Sequence, residues 1–134
     1  MQKSKRRTAR ERFCFGKNRF SLNIVANPEA NGIAEITRVA SPEKGKWPKS
    51  TEWEIKTCKY SRLGEMTLIN LVVTEYNDGS GRCLCEVKSD GIPNILCARS
   101  IMHVGEVGKV MEEVIACLLA FVNPIAPITI SDGM

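Results

Sequence analysis

The sequence predicts an α+β protein in which antiparallel strands come first and helix comes last. Two observations carry this: period-two alternation over the first two thirds of the chain, and a switch to a three-and-four-residue apolar period from Val107 onward. A third is the stop signal Asn123-Pro124, because proline lacks an amide donor and clashes with the preceding helical turn.

Taken in order, Phe13 to Phe15 and Arg19 to Val25 flank the turn-forming Gly16-Lys17-Asn18 and read as a hairpin. Gly32 to Val39 is a third strand, followed by the Pro/Gly/Lys-rich loop Ser41 to Ser50. Thr51 to Tyr60 and Met66 to Tyr76 are longer strands. In the first, Trp53 and Ile55 share one face and Glu54, Lys56, Cys58 and Tyr60 the other; in the second, Ile69, Leu71 and Val73 alternate with Asn70, Val72 and Thr74. Asn77 to Asn94 contains two Asp-Gly turn signals and reads as either a long loop or a flexible hairpin. Asn94 to Val104 is the last strand, with Ala98, Ser100, Met102 and Val104 expected on one face and Arg99, Ile101 and His103 on the other. Val107, Val110, Met111, Val114, Ile115, Leu118 and Leu119 then form one helical stripe, with Glu112 and Glu113 opposite. The apolar tail of Ile125, Ile128 and Ile130 suggests a surface that a partner chain covers.

At 134 residues and 43% apolar composition, one domain is expected. The longest apolar run, Val114 to Val122, falls well short of the roughly 20 residues of a membrane-spanning helix, so no membrane association is expected. No apolar signal-peptide centre follows the basic N-terminus. The net charge of +4 is uneven: Lys3, Lys5, Arg6, Arg7, Arg10 and Arg12 against Glu11 place +5 on the first twelve residues and leave about −1 on the rest. Residues 1–12 are therefore expected to be a flexible basic arm suited to an anionic polymer, with residues 13–134 as the folded domain. A solvated tail or a localisation signal would have the same composition.

The six cysteines lack paired zinc spacing, and His103 is the only histidine, so neither a metal nor a cofactor is expected. No nucleophile, metal-protease or phosphate-loop motif is present, and the protein is expected not to be an enzyme. The face carrying Lys56, Tyr60, Asn70, Arg99 and His103 offers rings, an amide and cations, the residue types that read single-stranded RNA. An ordinary solvated sheet face would look the same.

Asn31-Gly32-Ile33-Ala34-Glu35-Ile36, Trp53-Glu54-Ile55-Lys56-Thr57-Cys58, Ala98-Arg99-Ser100 and Leu118-Leu119…Asn123-Pro124-Ile125 resemble, in order and near spacing, landmarks of the coat proteins of single-stranded RNA bacteriophages, the levivirus family. The resemblance implies an N-terminal hairpin, a five-stranded antiparallel sheet and two C-terminal helices interlocked in a homodimer, which assembles into an icosahedral shell around single-stranded RNA. It implies residence in the virion, and in host cytoplasm during assembly, with possible dual use as a translational repressor. The RNA-facing positions it implies are Glu54, Lys56, Cys58 and Tyr60, then Asn70, Val72 and Thr74, then Arg99, Ile101 and His103. It also places Cys83 and Cys85 in an inter-subunit loop, either cross-linking neighbours or as simple thiols. Glu54, Cys58, Val72 and Ile101 depart from the family's usual polar contacts, so non-specific RNA binding falls to the basic arm. The rival readings are a non-assembling RNA-binding regulator and a small cysteine-dependent enzyme.

Overall fold

The computed structural model describes residues 7–26, 33–57, 67–89, 94–122 and 128–133. Strands β1 (Arg7–Phe15) and β2 (Asn18–Ala26) form the hairpin. Gly16, at φ 60°, and Lys17 make its two-residue turn, with glycine at the first central position as a type II′ turn requires. Strands β3 (Ile33–Ala40), β4 (Lys49–Thr57), β5 (Thr67–Glu75), β6 (Gly81–Ser89) and β7 (Ile95–Ile101) follow. They pair antiparallel in sequence order as one five-stranded sheet. A short 3₁₀ turn (Val104–Glu106) leads into helix α1 (Val107–Val122), and β8 (Ile128–Gly133) closes the chain by pairing with β2.

The fold has two layers. One face of the five-stranded sheet presents Trp53 and Ile55 of β4, Ile69, Leu71 and Val73 of β5, Cys83, Cys85 and Val87 of β6, and Ile101 of β7, all buried. The second layer is the three-stranded sheet β1-β2-β8 together with α1, which lies on β6, β7 and β8. Val107, Val110, Met111, Val114 and Ile115 are the buried stripe of α1.

The hairpin docks through an aromatic and ionic joint. Phe13 stacks on Phe20 at 5.5 Å and meets Trp53 edge-on at 5.3 Å. Trp53 Nε1 and Arg38 Nε each donate to Glu11 Oε1 at 3.1 Å, and the Arg38 guanidinium lies 5.6 Å from the Trp53 ring centroid. Arg38 also donates to the Arg12 carbonyl. The indole donor of a fully buried tryptophan is thus satisfied by a residue of the other layer.

Several expectations are corrected. Gly81 to Ser89 is a regular strand paired on both sides, not part of a loop, and it supplies the fifth strand. The first strand begins at Arg7, so Arg10 and Arg12 belong to the hairpin and not to a free arm; Lys3, Lys5 and Arg6 lie outside the described residues. Met102 is 69% exposed while Ile101 is fully buried, so the faces of β7 are the reverse of those expected. One α-helix is present among the described residues, and β8 follows it where a second helix was expected. That helix covers its own chain's sheet, and Ile130 of the apolar tail, opposite Leu22, is buried by the chain's own hairpin.

Candidate nucleic-acid interface

The face of the five-stranded sheet turned away from the second layer is open, and strand register fixes what it displays. One row across the strands runs Thr37, Glu54, Asn70, Glu86, Leu96. On one side of it lies Glu35, Lys56, Leu68, Lys88, and on the other Glu52, Val72, Leu84, Ala98. Ser50, Thr74, Arg82 and Ser100 form the next row. Rows of this kind are about 5 Å apart between strands and about 7 Å apart along them, within the reach of successive nucleotides.

Cations stand at the two ends of this face and carboxylates in the middle. Lys56 pairs with Glu35 at 3.2 Å and Lys88 with Glu86 at 3.5 Å. Arg82 is exposed and has no acidic partner among the described residues. Asn70 Nδ2 donates to Glu52 Oε2 at 3.2 Å, and Asn94 Nδ2 to Glu86 Oε2 at 3.3 Å. Ser50 and Thr74 share a 2.8 Å hydroxyl contact. Phosphates are favoured at Arg82 and at the Lys56/Lys88 row. The central carboxylates repel phosphate but accept hydrogen bonds from the amino groups of bases.

Of the residues singled out from sequence, Lys56, Asn70 and Thr74 come together on this face. Cys58 and Tyr60 lie outside the described residues. Arg99 and His103 do not join the others. Arg99 sits on the helix side and forms an ion pair with Glu113 of α1, because β7's register with β6 sets Arg99 opposite buried Cys83. His103 caps the 3₁₀ turn, its Nδ1 accepting from the Gly105 amide at 3.2 Å. The β7 residues on the open face are Leu96, Ala98 and Ser100, which the expected alternation had put on the covered side.

Arg10 and Arg12 are exposed on the hairpin, whose other side carries Glu11, Phe13 and Phe15 against the sheet. They therefore stand on the far layer from Lys56 and Asn70, so a single nucleotide cannot touch both groups. Of Arg7, the strand position is described and the side chain is not.

Cys83 and Cys85 are buried under the second layer in the middle of β6, which replaces the expected inter-subunit loop position. Burial pushes the Cys83 thiol well up from its ordinary range, and it pushes Cys85 up to about 12. Neither thiol is placed to cross-link a neighbouring chain.

Among the described residues, no group of three or more His, Cys, Asp or Glu side chains is arranged to hold a metal ion, and no helix is long and apolar enough to cross a membrane. Comparison with protein-family models, with curated proteins and with solved structures gave no match.

Proposed function

We propose that this chain is a coat subunit of the single-stranded RNA bacteriophage kind, which dimerises, binds RNA on the open sheet face and assembles into a closed shell. The observation that carries the reading is the sheet itself. Five consecutive antiparallel strands follow a hairpin and precede a helix, with one face covered, the other open, and a regular strand at the C-terminal edge. As far as α1 this is the order of elements that the sequence resemblance implies; β8 stands where its second helix would follow.

The two edges of the sheet differ in a way that favours one dimer. β3 has register shifts at Ile33/Glu35 and Arg38/Ala40, and such bulges discourage a further strand from pairing. β7 pairs without interruption from Ile95 to Ile101 and leaves its outer backbone groups unpaired by strands. Leu96, 55% exposed, and Met102 lie along or just beyond this edge, adding apolar area. Two copies meeting edge to edge at β7 give one continuous ten-stranded sheet with a doubled open face.

On that doubled face, Lys56, Lys88 and Arg82 meet phosphates, while Asn70, Thr74 and Ser100 supply hydrogen bonds to bases or sugars. The basic N-terminal residues add binding that is indifferent to sequence and sensitive to salt. An RNA hairpin occupying the same face before assembly would repress translation of the message that carries it.

Lysine at Ala98 and Ser100 tests the edge, because both side chains are exposed in the single chain and edge lysines oppose strand addition. Sedimentation velocity is expected to give a dimer for the parent protein, and a monomer with an unchanged circular-dichroism spectrum for Ala98→Lys/Ser100→Lys. An unaltered dimer would place the interface elsewhere.

A further inference from the structure

We propose that Cys97 and Cys117 are a thiol pair that oxidises to an intrachain disulfide, stapling the C-terminal half of α1 to the edge strand β7. The placement follows from one fixed contact. Arg99 on β7 and Glu113 on α1 form an ion pair, which aligns the helix with the strand at that level. Two residues back along β7, on the same face and about 7 Å away, is Cys97, which faces the second layer opposite buried Cys85. One turn forward along α1, on the same helical face and about 6 Å away, is Cys117. Strand and helix run in opposite directions around residues 102–106, so the two steps lead to the same place. The two side chains lie close enough that Cys117 is among the causes holding the Cys97 thiol above its ordinary range.

The chemistry assigns the two sulfurs different roles. Cys117 is exposed on the helix and reaches a small oxidant from solvent. Cys97 is half-buried, and desolvation together with the nearby Cys117 raises its pKa, so it acts second. With a low-molecular-weight disulfide such as oxidised glutathione, the Cys117 thiolate attacks one glutathione sulfur. The S–S bond breaks and one glutathione leaves as its thiolate. Cys97 then gives up its proton and attacks the Cys117 sulfur of the mixed disulfide, expelling the second glutathione. Two cysteine thiols are oxidised, one disulfide is reduced to two glutathione thiols, and the protons released by the cysteines end on glutathione. Cys83 and Cys85 stay out of the exchange because both are buried, and Cys14 is exposed on the hairpin in the other sheet.

This pairing does not depend on whether the chain forms a shell. The staple closes the segment between the two cysteines and so narrows the unfolded ensemble. It also holds α1 against the strand whose outer edge is left open.

Trypsin separates the relevant cysteines: Cys97 falls in the peptide 89–99, Cys117 in 110–134, and Cys83 with Cys85 in 83–88. The full chain, purified reduced and then incubated with oxidised glutathione, is alkylated and digested without reductant for mass spectrometry. The expected result is a linked 89–99/110–134 peptide from protein that remains monomeric on non-reducing denaturing electrophoresis, with a raised thermal midpoint relative to the reduced protein. Cys97→Ser and Cys117→Ser should each abolish the link, and Cys14→Ser should leave it intact. Full alkylation of both peptides, a link from either to 83–88, or the same link found only in a covalent dimer would overturn the proposal.

Discussion

Gly81→Ala is expected to destabilise the protein by about 3 kcal/mol or more, a large loss for the addition of one methyl group. A Cβ at this position would lie 2.3 Å from the Thr74 carbonyl oxygen and 2.6 Å from Phe15 Cζ. The first neighbour is backbone of the paired strand and the second is a buried ring from the hairpin layer, so neither moves freely. Gly81 is thus a point of close approach between the two layers, and alanine there forces them apart or bends β6 away from β5. Urea denaturation followed by circular dichroism measures the effect. Phe15→Leu in the Gly81→Ala background should recover only part of the loss, because the contact with the Thr74 carbonyl remains. A loss of unfolding free energy smaller than about 1 kcal/mol would contradict the packing of Phe15 over this strand.

Trp53→Ala is expected to cost about 4 kcal/mol, near the top of the range for a large buried ring. Trp53 is fully buried, holds Phe13 edge-on, lies beneath Arg38 and donates to Glu11, so its loss removes area and an inter-layer hydrogen bond together. Trp53→Phe keeps most of the apolar area and omits the donor, and should cost about 2 kcal/mol. The difference between the two variants separates packing from the Glu11 bond. Against a total stability of about 5–15 kcal/mol for an ordinary domain, Trp53→Ala alone brings the chain close to unfolding. If the two variants were equally destabilised, the hydrogen bond and not the ring would hold the hairpin to the sheet.

The elements with strong periodicity were legible in the sequence, and the failures have physical causes. Helix α1 runs from Val107 to Val122, as its stripe and the Asn123-Pro124 stop predict. The alternation of β4 and β5 placed Lys56, Asn70 and Thr74 correctly on the open face. β6 also alternates, with Cys83, Cys85 and Val87 inward against Arg82, Leu84, Glu86 and Lys88. Its pattern is offset by the flanking Asp-Gly signals, of which Asp78-Gly79 is the turn that leads into the strand and Asp90-Gly91 lies outside the described residues. Of these, Asp78 binds the Ser80 amide and hydroxyl at 2.9 and 2.6 Å, which holds its carboxyl below the usual range.

The faces of β7 were misread because Arg99, though exposed, lies on the helix side of the sheet. A charge on the helix side contradicts simple alternation unless a partner lies across the layer, and no one-dimensional pattern links Arg99 to Glu113, fourteen residues further on. The same holds for the tail: its apolar residues suggest a covered segment, but only the pairing of β8 with β2 identifies what buries Ile130. Long-range pairing is the information that local periodicity lacks. The candidate RNA surface therefore loses Arg99 and His103, gains Arg82, Lys88 and Ser100, and acquires an acidic centre that composition alone did not reveal.

The most direct measurement of the central claim is electron microscopy of the chain expressed alone in bacteria, purified after nuclease treatment, with extraction of any protected RNA. The coat reading predicts closed particles of uniform size that contain nuclease-resistant RNA. Discrete monomers or dimers carrying no protected RNA, at concentrations where the protein is folded, would contradict it.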